Sequence, residues 1–288
     1  FVWLAGYRAN GAMNHLVAHS RKPLLFIAAH MLMVWGRNLL SGRSALKTQA
    51  ASCDRKAEIE RDGDVSSSCD ACSALQDTAP HVDRHVIVRT TSSAAWPKRI
   101  EKEENSFAAR LSAAIESAKS ETGSTLAVKM TAYEGTEKDT EICQVILYPE
   151  GLAFTGIGSE VNMEDFARML LLQSIPEKFL GAGCSLPWKK LVLVCTHGSR
   201  DKRCGRAGPQ IITELQSELK KRGVPESEIA VRASSHIGGH KYAGTLIVYP
   251  CGEWYGYVSK RVVPELVDSI LSGTVLSKCF RGRGNVDW

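Results

Sequence analysis

The sequence predicts an α/β protein made of two copies of one unit, the first of them degenerate. Three observations carry that expectation. VILYPEG at 145–151 matches LIVYPCG at 246–252, and HVIVRTTSS at 85–93 matches LVLVCTHGS at 191–199. In both halves a strand, a helix, three strands and a second helix follow in one order. That order predicts a four-stranded sheet covered by helices, built twice.

The first 82 residues stand outside the pattern. Residues 1–53 hold six basic side chains and no Asp or Glu, beside the apolar run LLFIAAHMLMVW at 24–35. An acid-free stretch of this kind reads as a targeting segment and predicts a mitochondrial or other organellar address, with a cytoplasmic one as the alternative. Met13 and Met31 are candidate starts. The apolar run is short of the roughly 20 residues a membrane-spanning helix needs, so no stable span is expected. Residues 54–82 are polar and aperiodic and read as a linker. Within them Cys69 and Cys72 form a CxxC, a pair able to bind metal or to cycle as a dithiol.

The two units fall at 83–187 and 188–288. In the first, residues 84–89 (RHVIVR) read as a buried strand. Trp96-Pro97 opens a helical stretch through Lys119, with Ile100, Phe107, Leu111 and Ile115 near one face. Strands are expected at 126–131, 143–148 and 152–155, and a helix at 163–173. In the second, LVLVC at 191–195 is a strand. The helix at 209–222 turns Ile211, Ile212, Leu215 and Leu219 inward, with Pro209 in its first turn and Gly223 at its stop. Strands at 229–232, 246–249 and 254–258 precede a last helix carrying Val262, Val263, Leu266, Val267 and Ile270.

Composition excludes some classes. The formal net charge is +5, but setting aside the six basic residues of 1–53 leaves 30 basic against 31 acidic side chains. The folded part is therefore near neutral, and no nucleic-acid partner is expected. The nine cysteines are scattered and odd in number, which argues against a disulfide framework and for buried thiols and metal ligands.

The chemistry concentrates in the second copy. Cys195-x8-Cys204 is followed, thirty-one residues on, by His236-x3-His240. The first cysteine ends a strand and the second precedes a helix. The histidines lie in SSHIGGHKYAG, where Gly238 and Gly239 let the backbone turn tightly round a bulky group. Two thiols and two imidazoles suit either a [2Fe–2S] cluster or a zinc ion, and Cys-x8-Cys is wider than the usual zinc spacing of x2–4. Spacing alone favours a metal and leaves the choice open. In the first copy the matched positions hold Arg89, Gly135 and Asp139, so that copy keeps the scaffold and lacks the ligands. Among neighbours of the ligands, His197, Lys241 and Tyr242 are the candidates to touch them. Trp254 and Tyr255 read as packing residues, and Cys143, Cys184 and Cys279 as inert.

CTHGSRDKRCG at 195–205, HIGGHKYAG at 236–244 and WYGYV at 254–258, with Asp83–Val88 and Trp96-Pro97, resemble the thioredoxin-like ferredoxins grouped as sucrase/ferredoxin-like. The resemblance covers about residues 83–288. It implies two thioredoxin-like units in tandem. It also implies one [2Fe–2S] cluster, with Cys195 and Cys204 on one iron and His236 and His240 on the other. The function implied is proton-coupled electron transfer in redox homeostasis, with donor and acceptor proteins as partners. Thr245 departs from the pattern, which has Asn after Ala-Gly. Glycoside hydrolysis needs two placed carboxylates, and neither long motif supplies them, so no sucrase activity is expected. The tail Val286-Asp287-Trp288 resembles the acidic–aromatic ends by which clients engage the cytosolic iron–sulfur assembly machinery. The alternatives are a zinc-stabilised Cys2His2 binding module without redox activity and a thiol-disulfide oxidoreductase using Cys69 and Cys72.

Overall fold

The computed structural model describes residues 75–136, 139, 143–176, 179 and 183–284. The expectations for residues 1–53, for Cys69 and Cys72, and for the tail at 286–288 lie outside the described residues. Among the described residues, ten strands form a single mixed sheet: β1 (Arg84–Thr90), β2 (Val128–Glu134), β3 (Val145–Tyr148), β4 (Leu152–Phe154), β5 (Cys184–Ser185), β6 (Lys190–Cys195), β7 (Ile229–Ser234), β8 (Leu246–Tyr249), β9 (Glu253–Tyr255) and β10 (Phe280–Arg283). Four helices accompany them among the described residues: α1 (Phe107–Thr122), α2 (Met163–Leu170), α3 (Lys202–Lys221) and α4 (Val263–Ser272).

The sheet runs β10-β9-β8-β6-β7-β2-β1-β3-β4-β5. β1 pairs parallel with β2 and antiparallel with β3, which pairs antiparallel with β4. β6, β7, β8 and β9 repeat those three relations. Separate four-stranded sheets were expected, and one continuous sheet is found. The seam is the single pair Tyr133↔Ser234 between β2 and β7. It holds because serine side chains complete the backbone bonding there. Ser235 Oγ accepts from the Ala132 N–H at 2.8 Å, and the Ala132 carbonyl accepts from the Ser235 N–H at 2.8 Å. Such side-chain competition with strand hydrogen bonds is invisible to hydrophobic periodicity.

Strand alternation sorts the side chains onto two faces. Val86 and Val88 pack outward against α1 and α2, with Leu111, Ile115 and Phe166. Val192 and Val194 do the same against α3 and α4, with Leu215 and Leu266. Burying each such side chain stabilises the fold by about 1.5–3 kcal/mol. The inner residues of both halves, among them Ile87, Ile146, Leu193, Cys195 and Ile247, share one further core. There the matched tyrosines of the two halves, Tyr148 and Tyr249, stack at 3.9 Å with an interplanar angle of 9°.

Several boundaries differ from expectation, each for a local reason. The stretch from Trp96 does not start a helix; α1 begins at Phe107, where the Ser106 hydroxyl caps the Ala109 N–H at 3.0 Å. α3 begins at Lys202, seven residues before Pro209. Asp201 caps its first turn through the Arg203 N–H, and Pro209 sits inside the helix. Cys204 is therefore within the first turn of α3 and not ahead of the helix. Residues 75–82, expected as linker, belong to the fold: Leu75 and Val82 are buried, and Thr78 bonds Arg281. β10 was not expected, because its FRGR sequence is a poor strand signal that pairing with β9 overrides.

The first-half counterparts of the predicted ligands are occupied by structural contacts. The Arg89 stem lies over Gly135, where a Cβ would stand 2.6 Å from its Cγ, and Arg89 Nε donates to the Cys143 carbonyl at 2.8 Å. Asp139 is buried and accepts from Arg232 Nε and Nη2 at 3.1 and 3.2 Å, across the two halves. Asp139→Ala leaves Arg232 with the half-exposed Glu226 as its remaining acid partner. A loss of about 3 kcal/mol in urea unfolding is expected, because removing one partner strands a buried charge.

Candidate metal centre

Cys195 ends β6 with its N–H donated to the Thr245 carbonyl at 3.0 Å. A backbone carbonyl does this work, so the Thr245 side chain does not hold the strand end. Gly208 of α3 presses on the same strand end: a Cβ there would lie 2.2 Å from the Cys195 carbonyl oxygen. This close approach carries Cys204, one turn earlier, to the Cys195 thiol. Both cysteines are fully buried.

The two thiols are hydrogen-bonded to each other, and their acidities diverge. Cys195 is held below the usual thiol range first by the Cys204 hydrogen bond, against the effect of burial. The His236 ring and the N–H groups of His197 and Ile237 help. Cys204, as the donor of the pair, is pushed up by that bond and by burial. Cys195 is thus the more acidic of the two, and a metal held by both sulfurs would displace the Cys204 proton.

His236 follows β7. Its N–H donates to His197 Nδ1 at 3.0 Å, and its own Nδ1 is buried with no hydrogen-bond partner among the described residues. The His236 and His240 rings lie 5.4 Å apart, with His240 exposed. Between them Gly238 and Gly239 take φ of 111° and 72°, a region other residues rarely adopt. All four residues singled out by spacing are thus brought into one neighbourhood. Among the described residues, no three of His, Cys, Asp and Glu converge as the ligands of a single metal ion would. The donors come as a thiol pair and an imidazole pair.

His197 is buried. Its Nε2 donates to the Pro97 carbonyl at 2.8 Å while Nδ1 accepts from His236, so the geometry defines a neutral Nε2–H ring. Burial lowers its pKa, in agreement. The ring meets Trp96 edge-on at 5.6 Å, and Ser199 Oγ donates to the Trp96 carbonyl at 2.7 Å. The Trp-Pro loop of the first half therefore buttresses the ligand loop of the second. Lys241 does not reach the candidate ligands; it is exposed, and its ammonium lies 4.7 Å from the Tyr242 ring centre. Tyr242 is buried beneath the loop, with Arg281 4.9 Å from its ring centre.

Three residues at this site were not anticipated in that role. Arg281 of β10 is buried and lies against Gly239, where a Cβ would meet its guanidinium at 2.5 Å. Lys129 points inward from β2, 5.8 Å from the Trp254 ring centre, and burial lowers its pKa to about 8 while the Cys195 thiolate opposes that fall. Trp254 itself is fully buried between the two cations, as its expected packing role allows. No local pattern marks Lys129 or Arg281, because strand pairing alone brings them here. Cys143, expected to be inert, is buried with its thiol pushed up to about 12, first by burial.

A model of the sucrase/ferredoxin-like family matches residues 75–282. Altered inheritance of mitochondria protein 32 of Debaryomyces hansenii is 38% identical over 100 residues, 33% of this chain and 36% of that protein. Its namesake of Meyerozyma guilliermondii is 39% identical over 100 residues, 33% of this chain and 35% of that protein. The chain thus spans about a third of the length of these relatives. Among solved structures, a thioredoxin-like [2Fe–2S] ferredoxin from Aquifex aeolicus aligns with 19% identity and a TM-score of 0.31, over 33% of this chain and 93% of that one.

Proposed function

The chain belongs to the sucrase/ferredoxin-like family, and from that premise we propose that it is an electron carrier holding one [2Fe–2S] cluster on Cys195, Cys204, His236 and His240. The observation that carries this reading is the buried, unpartnered Nδ1 of His236 beside a hydrogen-bonded thiol pair. A buried nitrogen left without a partner is costly unless something occupies it. Division of the donors into a thiol pair and an imidazole pair is what two irons need. The repeated pairing of β1–β4 in β6–β9 supports two thioredoxin-like units in tandem, the first without ligands.

When bound, such a group accepts and returns one electron, at a higher potential with two imidazoles than with four thiolates. The protein supplies the rest. Hydrogen bonds from Cys204, the His236 ring and the N–H groups of His197 and Ile237 favour the thiolate of Cys195, and His197 fixes the backbone of His236. His240, being exposed, keeps a ring nitrogen in reach of water and offers a place for a proton to be taken up with the electron. The donor and acceptor are redox proteins, and the iron–sulfur assembly machinery supplies the cluster. The acid-free first 53 residues and the mitochondrial reference in the relatives' name support an organellar address. Among the described residues no helix is long and apolar enough to cross a membrane.

The test is an absorption and EPR spectrum of protein prepared without oxygen, with iron, sulfide and zinc analysis. About two iron and two sulfide per chain and a Rieske-like signal on reduction are expected. A colourless protein with one tightly bound zinc would overturn the reading in favour of a structural binding module.

A further inference from the structure

Buried charges in proteins are paired, because an isolated ion in the interior costs several kcal/mol. Arg281, buried beside the metal centre, breaks that rule, and Lys129 stands half-buried next to it. Among the described residues the Arg281 guanidinium bonds to neutral acceptors only: Thr78 Oγ1 at 3.1 Å, the Thr78 carbonyl at 2.6 Å and the Gly238 carbonyl at 3.5 Å. Its faces lie against the rings of Tyr242 and Trp254. No carboxylate pairs with it among the described residues. The Lys129 ammonium makes no hydrogen bond or ion pair among the described residues and lies over the Trp254 ring. Glu101 acts on it from a distance without pairing, and the Cys195 thiolate acts on it more strongly.

Both cations come from outside the ligand loops, one from β2 and one from β10. They meet at the inner face where Cys195 ends its strand and the His236–His240 loop folds back. Two ferric ions, two sulfides and two thiolates balance to zero net charge, and one added electron leaves a single negative charge. Resting on the proposed function, we infer that Lys129 and Arg281 are a built-in counter-charge for that electron, positioned to favour the reduced state of the centre. Arg281 also positions the ligand loop, since its guanidinium occupies the space that Gly239 leaves open.

The test uses the full chain with Lys129→Met, Arg281→Gln and Arg281→Lys, read by the one-electron midpoint potential at pH 7. Lys129→Met and Arg281→Gln are expected to reduce the equilibrium constant for reduction about tenfold each, which is about 59 mV for one electron. Arg281→Lys, which keeps the charge, is expected to keep the potential. Unchanged potentials in a protein that holds its cluster would overturn this inference alone. A chain that takes no cluster would overturn the proposed function and this inference together.

Discussion

Cys204→Ser is expected to leave a folded chain that no longer retains iron and sulfide through anaerobic purification. Cys204 sits in the first turn of α3, pinned beside Cys195 by the contact of Gly208 with the end of β6. A serine hydroxyl there has no accessible thiolate equivalent, and the thiolate is what binds metal. Even outer partners of metal ligands cost 10–100-fold in affinity when removed, so losing a ligand should cost at least roughly that much. Replacing both imidazoles has the opposite character. In His236→Cys with His240→Cys the centre should be kept, with its potential lowered on the order of 300 mV and its pH dependence largely gone. Iron and sulfide analysis with redox titration distinguishes the two. A Cys204→Ser chain with wild-type iron content would show that Cys204 is not a ligand.

The second large effect is loss of stability on mild acidification. His85 is fully buried between the Tyr249 hydroxyl and Thr131 Oγ1, the latter at 2.9 Å. Burial, aided by the Lys129 charge, holds its pKa well below the ordinary histidine value. Burial also lowers that of His197. In the unfolded chain both titrate near 6.5. Below that pH the unfolded state binds protons that the native state refuses, so stability falls as pH falls. Above about pH 7 both rings are neutral in either state and the contribution is complete. The slope from His85 approaches about 1.4 kcal/mol per pH unit below its unfolded pKa, with a further contribution from His197. Urea midpoints measured from pH 7.5 to 5.5 should decline accordingly, and His85→Gln should flatten the decline. A midpoint independent of pH over this range would show that neither ring's pKa differs between the native and the unfolded chain.

Much of this protein is legible in its sequence for reasons of locality. The strands LVLVC and LIVY are continuous apolar runs between turn residues, and they appear as β6 and β8 almost where periodicity places them. The internal match of 145–151 with 246–252 corresponds to β3 and β8, which hold the same place in each half of the sheet. The four candidate ligands lie in two short motifs whose glycines signal close backbone packing, so their nomination needed no tertiary information. The first half's lack of the candidate ligands is readable too, because Arg89, Gly135 and Asp139 stand at the matched positions.

Tertiary structure alone decided the rest. Pro209 reads as a helix start, yet the Asp201 cap and the packing of Gly208 on Cys195 extend α3 back past Cys204. The seam joining the halves depends on Ser235 bonding the backbone of Ala132, residues far apart in the chain. The burial of His197 depends on a carbonyl supplied by Pro97 from the other half. Lys129 and Arg281 meet at the centre only because β2 and β10 are laid along its inner face. Local patterns determine which segments are strands, which are helices and which residues can bind a metal. Long-range pairing determines what charge surrounds those residues, because a side chain's electrostatic neighbours are set by distance in space and not by distance along the chain.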